Sequence, residues 1–385
     1  MRLSSSPRKR PASEALVAGG VVVVLLAIVA AVFLSGQGAT LYPPNPVTEQ
    51  GHDIKRLYDI TFAIAVAIFI AVEGLIVWSI VRYRRRPGDD ELPPQTHGNN
   101  LVEVIWTLIP TVIVLYLFAI SWQSLNTVDA LSSDPDIRVH AVAGQFIWTF
   151  EYLDQAGNVV ATQQAPAYGA GGPDCPTPAM TNPACGGMAV PVDRSVQVTL
   201  DSPDVIHAFY VPRFLFKRDV VPGQTNRFEF TVDAAEAGQV FGGQCAELCG
   251  TGHRTMLFSV VALSGSDYDT WLAALVERAN ATPPPPPSGA TTLQLTAKDI
   301  AFDKRELSVP ANASFVIDFV NADPAGVAHD VDIRQSDGKT VVVDQQTADG
   351  GKQSQYTYEG LPAGTYTFIC SIHPVPAMTG TLTVQ

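Results

Sequence analysis

Three apolar runs set the first limit on how this chain of 385 residues can fold. Ala15 to Leu34 passes 20 residues without a charge, Ile60 to Val81 holds a single acid, Glu73, and Val104 to Trp122 begins just after another, Glu103. About 20 helical residues at ~1.5 Å each cross a hydrocarbon core of ~30 Å, so all three runs are candidate membrane spans. The charged fraction of 16% lies below the roughly one quarter usual in soluble domains, as expected when apolar excess is concentrated in such spans. Arg8, Lys9 and Arg10 precede the first run, and Arg82, Arg84, Arg85 and Arg86 follow the second. The positive-inside rule puts both clusters in the cytoplasm, so everything after about Asn126 lies outside. The first run reads either as a signal peptide, with small residues at Ser35 and Gly36 behind it, or as a retained first helix; the topology is the same both ways.

Charge divides at the same point. Up to Trp122 there are 10 basic and 9 acidic residues, whereas residues 123–385 hold 14 basic and 28 acidic, a balance of −14. An acidic extracytoplasmic part repels nucleic acid and anionic lipid, which excludes nucleic-acid binding, and attracts basic partners through a field that salt screens. From Asp136 onward the sequence turns to short runs rich in Val, Phe, Tyr and Thr, such as Ser195 to Leu200 and Arg227 to Val232, separated by Pro, Gly and Asp; these predict strands of β-sandwiches. A helix over Ser266 to Arg278 closes the first β region. Five prolines, Pro283 to Pro287, then form a stiff spacer of roughly 15 Å at ~3.1 Å per residue. A second β-rich region runs from Thr292 to Gln385.

Five cysteines cannot all pair within the chain. Cys175 and Cys185 sit in a Gly- and Pro-rich insertion and read most simply as a disulfide in an oxidising compartment, with a metal site as the lesser reading. Cys245, Glu247, Cys249, His253 and Met256 fall within twelve residues of a Gly-rich loop. Two thiolates, an imidazole and a thioether form a soft donor set that favours copper over magnesium, calcium or manganese. A second imidazole has to come from elsewhere, and His207 is well placed at the end of an apolar stretch. A structural zinc site is the plainer alternative for a Cys-x3-Cys pair with a nearby histidine, and Met256 and the exported location weigh against it.

The stretches Asp204-Val-Ile-His-Ala-Phe-Tyr-Val-Pro, Lys217-Arg-Asp-Val-Val-Pro-Gly and Gly243 to Met256, with Glu103-Val-Ile-Trp-Thr-Leu-Ile-Pro and Trp148-Thr-Phe-Glu-Tyr, resemble subunit II of the haem-copper cytochrome oxidases over about residues 50–275. The resemblance implies a binuclear copper A centre in which Cys245 and Cys249 bridge two coppers, His207 and His253 cap them, and Met256 and the Glu247 carbonyl are weak axial donors. It further implies that the Glu247 side chain binds a magnesium ion shared with subunit I, that Glu103 marks the entrance of a proton path into subunit I, and that the aromatic stretch receives electrons. Phe146 stands where the family usually carries tryptophan, two positions before Trp148. For Glu103 the plain alternative is a headgroup-level charge complementing a helix dipole. Glu73 reads as a packing contact with a protein neighbour.

In the last region Cys370, His373 and Met378 have Cys-x2-His-x4-Met spacing, and His329 lies upstream. Two imidazoles, a thiolate and a thioether are the ligand set of a mononuclear blue copper site. Residues 290–385 resemble a plastocyanin-type cupredoxin, with Asp330 where Asn is frequent and Ala377 where Gly commonly precedes the methionine. His52, His97 and His140 join no constellation and read as surface residues.

The fold class expected is therefore membrane α plus all-β: an N-terminal transmembrane hairpin with a signal or extra helix before it, then two cupredoxin-type Greek-key β-sandwiches. Its segments are 1–36 for the signal or first helix, 50–126 for the hairpin, 127–280 for the copper A domain, 281–290 for the linker and 291–385 for the type 1 copper domain. The function implied is that of a multi-pass subunit of a terminal oxidase in a bacterial-type plasma membrane, with both copper domains extracytoplasmic. Electrons from cytochrome c, a soluble cupredoxin or a respiratory complex would pass through blue copper and copper A to haem in subunit I, where oxygen is reduced to water with proton pumping. Rival readings are the small subunit of a copper-A nitric oxide reductase and a membrane-anchored copper-binding or delivery protein. Closed four-ligand frames and the presence of Glu103 and Glu247 weigh against delivery.

Overall fold

The computed structural model describes residues 42–84, 98–165, 187–280 and 287–385, apart from positions 325, 344 and 346. The first apolar run, the Cys175 and Cys185 pair and Pro283 to Pro286 lie outside the described residues. The chain divides into two compact units, one of residues 1–45 and 52–127 and one of residues 46–51 and 128–385.

In the first unit, helix α1 (Glu49–Tyr83) and helix α2 (Asn100–Val128) contain the second and third apolar runs and continue past them, to 35 and 29 residues. Both are long and apolar enough to cross a membrane. Their side chains, among them Phe69, Ile70, Leu115 and Phe118, are exposed, as suits helices whose solvent is lipid or a protein neighbour. Glu49 in the first turn and Arg82 in the last turn of α1 complement its dipole. Asn99 caps α2: its Oδ1 accepts the N–H of Leu101 at 3.1 Å and of Val102 at 3.2 Å. Glu103 Oε1 accepts the N–H of Asn99 at 3.3 Å, so this carboxylate sits at the helix start. Glu73 and His52 are exposed.

The second unit holds two β-sandwiches. The first is built from β1 (Ile137–Gly144), β2 (Ile147–Leu153), β3 (Val159–Gln164), β4 (Met188–Pro191), β5 (Ser195–Asp201), β6 (His207–Val211), β7 (Phe216–Val220), β8 (Asn226–Thr231), β9 (Val240–Cys245) and β10 (Leu257–Leu263). Its sheets have the orders β3-β2-β1-β5-β8 and β4-β10-β9-β6-β7. Alternation is strict in β5, where Val196, Val198 and Leu200 are buried, because one face of that strand is in the core. The predicted closing helix is α3 (Gly265–Asn280), one to two residues longer at each end than expected. The Ser264 hydroxyl accepts the Asp267 N–H at 3.2 Å as its cap, and Tyr268 and Leu275 bury its apolar face against the sandwich.

The second sandwich comprises β11 (Thr291–Ala297), β12 (Glu306–Val309), β13 (Phe315–Asn321), β14 (Asp332–Gln335), β15 (Val341–Val343), β16 (Gln353–Tyr358), β17 (Gly364–Ile369) and β18 (Thr379–Val384). Its larger sheet, β12-β18-β17-β14-β15, repeats strand for strand the order β4-β10-β9-β6-β7. In each case the first pair in that order is parallel and the other three are antiparallel. Two regions without obvious sequence repetition thus share one topology. Each carries its cysteine where the central strand of that sheet ends.

Candidate metal centres

In both sandwiches the cysteine backbone N–H donates to the carbonyl of the methionine that ends the loop, Cys245 to Met256 and Cys370 to Met378, each at 3.0 Å. That bond closes the loop into a ring and turns the side chains between inward. The histidine from the neighbouring strand is added by sheet pairing: β6 begins at His207 and pairs with β9, and His329 lies three residues before β14, which pairs with β17.

At the first centre, His207, Cys245 and Cys249 offer donor atoms within 4.8 Å of one another, all buried. Cys245 Sγ lies 3.7 Å from His207 Nδ1, 3.9 Å from Cys249 Sγ and 3.2 Å from the Glu247 carbonyl. Cys249 Sγ lies 3.6 Å from His253 Nδ1 and 4.0 Å from Met256 Sδ. Sulfurs this far apart are not disulfide-bonded, since that bond is ~2.05 Å, and both thiols are free. The separations are those of atoms converging on a shared cation rather than on each other. Burial, the largest influence on both thiols, raises them; at Cys245 bonds from His207 and from the backbone reverse the direction, whereas at Cys249 the neighbouring Cys245 charge pushes it further up. The pair therefore has one easily removed proton and one that a bound cation has to displace.

At the second centre, His329, Cys370 and His373 form the other buried cluster. Cys370 Sγ is 3.6 Å from His329 Nδ1, and the two Nδ1 atoms are 3.1 Å apart. Met378 is fully buried in the same core cluster as Cys370. Burial, then the adjacent His329 ring, pushes His373 down to about 4, and burial also lowers His329, so both imidazoles are neutral and able to bind a cation at neutral pH. Burial pushes the Cys370 thiol well up, which leaves it protonated until a cation takes the proton's place. Soft, buried, closed donor sets of this kind suit copper.

The sequence did not flag the groups that hold the imidazoles. A ligating histidine commonly donates its other N–H to a carboxylate or carbonyl, which fixes ring and tautomer. His207 Nε2 bonds Asp204 Oδ1 at 2.9 Å, and His329 Nε2 bonds Asp323 Oδ2 at 2.7 Å. Burial works against the charge on Asp204, but His207 and the N–H groups of Gln145 and Val205 outweigh it and hold the carboxyl below its usual range. Asp204 was visible as part of a motif; Asp323, six residues from its histidine, had no signal. Asp330 anchors the residue after Cys370, its Oδ1 accepting the Ser371 N–H at 2.6 Å.

The Glu247 side chain is partly exposed and pairs with Lys217 Nζ at 3.4 Å. Trp148 is fully buried in the first core, edge-on to Phe209 at 5.8 Å and 5.1 Å from Phe258. Phe146 is half-buried against the loop, where a Cβ on Gly252 would overlap its ring. One expectation is corrected: His140 is no simple surface residue. Its Nδ1 meets Glu151 Oε2 at 2.7 Å and its Nε2 meets Asp201 Oδ2 at 2.9 Å, because sheet register sets Glu151 directly opposite and Asp201 one strand away.

Residues 137–263 match the family described as cytochrome C oxidase subunit II, periplasmic domain; residues 39–125 match its transmembrane domain; residues 270–384 match the cupredoxin-like domain. The probable cytochrome c oxidase subunit 2 of Streptomyces coelicolor is 35% identical over 254 residues, covering 61% of this chain and 79% of that protein. The cytochrome c oxidase subunit 2 of Synechocystis sp. is 32% identical over 288 residues, 66% of this chain and 82% of that protein. Among solved structures, the periplasmic domain of subunit II of cytochrome oxidase of Bradyrhizobium japonicum is 26% identical, with a TM-score of 0.32, covering 38% of this chain and 99% of that one. Auracyanin from Roseiflexus castenholzii is 23% identical, with a TM-score of 0.22, covering 25% of this chain and 99% of that one.

Proposed function

Because this chain belongs to the cytochrome c oxidase subunit II family, we propose that it is the electron-entry subunit of a terminal oxidase, with a second copper domain fused behind the first. In this reading His207, Cys245, Cys249, His253, Met256 and the Glu247 carbonyl hold the two coppers of a copper A centre, and His329, Cys370, His373 and Met378 hold one type 1 copper. These centres supply one-electron exchange, and no substrate bond is made or broken in this subunit. The observation that carries the reading is the convergence of Cys245, Cys249 and His207 on one buried point. A closed thiolate frame that barely rearranges on changing charge suits a relay.

The protein's own residues then divide the work. Asp204 and Asp323 keep His207 and His329 oriented with Nδ1 inward. The closing Cys245 and Cys370 N–H bonds hold the loops, and the two sandwiches bury every cysteine, methionine and histidine donor except His253. Glu247, whose Lys217 partner is exposed and exchangeable, serves a magnesium ion at the junction with subunit I. Glu103 opens a proton path into that subunit, and Phe146 and Trp148 belong to the electron path. The donor is cytochrome c, another cupredoxin or a respiratory complex, and the acceptor is haem in subunit I. Both copper domains face the outside of a bacterial-type plasma membrane.

Purification from native membranes with metal analysis and electron paramagnetic resonance tests this. The expected result is a seven-line mixed-valence signal, a blue absorption band and a co-purifying haem partner. Zinc in place of copper, or the absence of haem, would refute the reading. Nitric oxide reduction without oxygen reduction by the isolated complex would transfer the subunit to a nitric oxide reductase.

A further inference from the structure

At His207, His329 and His373 the ring nitrogen turned away from the donors has a partner of its own. For His207 and His329 it is a carboxylate of the same sandwich. For His373 it is the backbone carbonyl of Gln145, in the other sandwich. A carbonyl can only accept, so Nε2 carries the proton and Nδ1, 3.1 Å from His329 Nδ1, is left for the metal. The first sandwich therefore sets the tautomer and orientation of a ligand of the second.

Gln145 is also tied to the first centre on both sides. Its side-chain Nε2 donates to the carbonyl of Cys249 at 2.5 Å, and its backbone N–H donates to Asp204 Oδ2 at 2.6 Å, the carboxylate that holds His207. One residue thus touches a ligand of the second centre, a ligand of the first and the carboxylate that holds His207. Around it the sandwiches are in close contact. Ile147, from β2, is buried in the hydrophobic cluster of the second sandwich. Gly326 has φ +90° and approaches so closely that a Cβ there would overlap Val142 and press on Pro203, while a Cβ on Gly144 would overlap the Gly326 carbonyl. His373 is only 5% exposed, so a soluble protein cannot reach its ring edge.

We infer that Gln145 is the bridge between the two centres: it positions His373 and carries electron exchange along His373, Gln145 and Cys249 within a docked pair of sandwiches. The inference rests on the reading of both centres as copper sites. With copper bound, each event would move one electron from the centre held by His329, Cys370 and His373, which is oxidised, to the centre held by Cys245 and Cys249, which is reduced, and no proton or covalent bond would change place. Because the His373 edge is occupied, an external donor delivers its electron to the second sandwich over another face.

The test uses the full chain with its partner subunit. Pulse radiolysis reduces one centre and follows both optical bands, and dipolar coupling between the two oxidised centres is read by electron paramagnetic resonance. In the wild type, transfer should be independent of protein concentration and ionic strength, with dipolar coupling present. Gln145→Leu and Gln145→Glu, which both lose the donor to Cys249, should slow it by about fivefold, the size of one hydrogen bond in the docking equilibrium. Gly326→Val, which wedges the contact without touching a ligand, should slow it by about tenfold or more. Both Gln145 variants keep the backbone carbonyl that holds His373, so the hyperfine pattern of the second centre should stay wild-type in them and change in Gly326→Val, where the wedge displaces that carbonyl. Unchanged rates in all three variants, or an unchanged hyperfine pattern in Gly326→Val, with both copper signals intact, would overturn the bridge. So would wild-type transfer that scales with protein concentration, or absent dipolar coupling, and these decide the matter even if a variant fails to fold. Loss of either copper signal from the wild type would instead overturn the reading of the centres themselves.

Discussion

In both sandwiches a cysteine stands where a strand ends, last in β9 and just after β17, a loop turns its donors inward and the cysteine N–H closes on the methionine carbonyl. The two loops differ in length: Cys245 and Met256 are eleven positions apart, Cys370 and Met378 eight. The longer loop accommodates Cys249 and sets its histidine eight positions after the first cysteine, whereas His373 comes three after Cys370. Burial differs too. His253 is partly exposed at the rim of the first centre, while His373 is covered by the neighbouring sandwich. One topology thus supports a centre with two thiolates or with one, and loop length decides which. The surroundings decide which centre is open to partners.

The comparison breaks most sharply at the sulfurs. Cys249→Ser should abolish the seven-line signal and remove copper from the first centre while the blue band persists; Cys370→Ser should do the reverse. Metal analysis and optical spectra read both, and loss of both signals in either variant would mean that the centres are not independent. Next in size is Trp148→Ala, which removes a fully buried ring from the aromatic cluster of the first sandwich and should cost about 3–5 kcal/mol of its stability. Denaturant unfolding followed by the blue band, against intrinsic fluorescence, tells whether the second sandwich survives that loss.

Asp204→Asn and Asp323→Asn sharpen the parallel between the histidine supports. Each should weaken copper retention at its own centre by about 10–100-fold, measured by competition with a chelator, with the other centre unaffected. The smallest effect is expected at His140, which has no counterpart in the second sandwich. The bond to Glu151 is the main cause that raises its pKa above 6.5, with Asp201 adding to it against burial. A raised value means that the charged clamp contributes its full stability below pH 6.5 and loses it as the pH rises through the folded value. The melting-temperature gap between wild type and His140→Gln should therefore be widest in mild acid and close towards alkaline pH. A gap that widens with pH would refute the charged clamp.

Much of this was legible in residue order because the chemistry is local. Cys245, Cys249, His253 and Met256 are one loop, and Cys370, His373 and Met378 another, so donor type and spacing announce them. Hydrophobic runs announce helices for the same reason, and their extension to Glu49 and Val128 was missed only because capping and polar flanks carry no hydropathy. His140 was misplaced because its partners, Glu151 and Asp201, are brought to it by antiparallel and parallel register, which residue order does not display. Asp323 was missed on the same ground: a carboxylate becomes a histidine's partner only when the loop before β14 folds back.

By itself, the sequence determined the two apolar helices, the β-rich character of the chain beyond them and the ligand types at both centres, since each depends on residues close in the chain and on periodicity. Only the tertiary structure decided that the cysteine-bearing sheets of the two sandwiches share one strand order, that carboxylates orient His207 and His329, and that His373 reaches Gln145. Hydrogen bonds between residues far apart in sequence exist only once sheets pair and sandwiches pack, and no spacing along the chain encodes them.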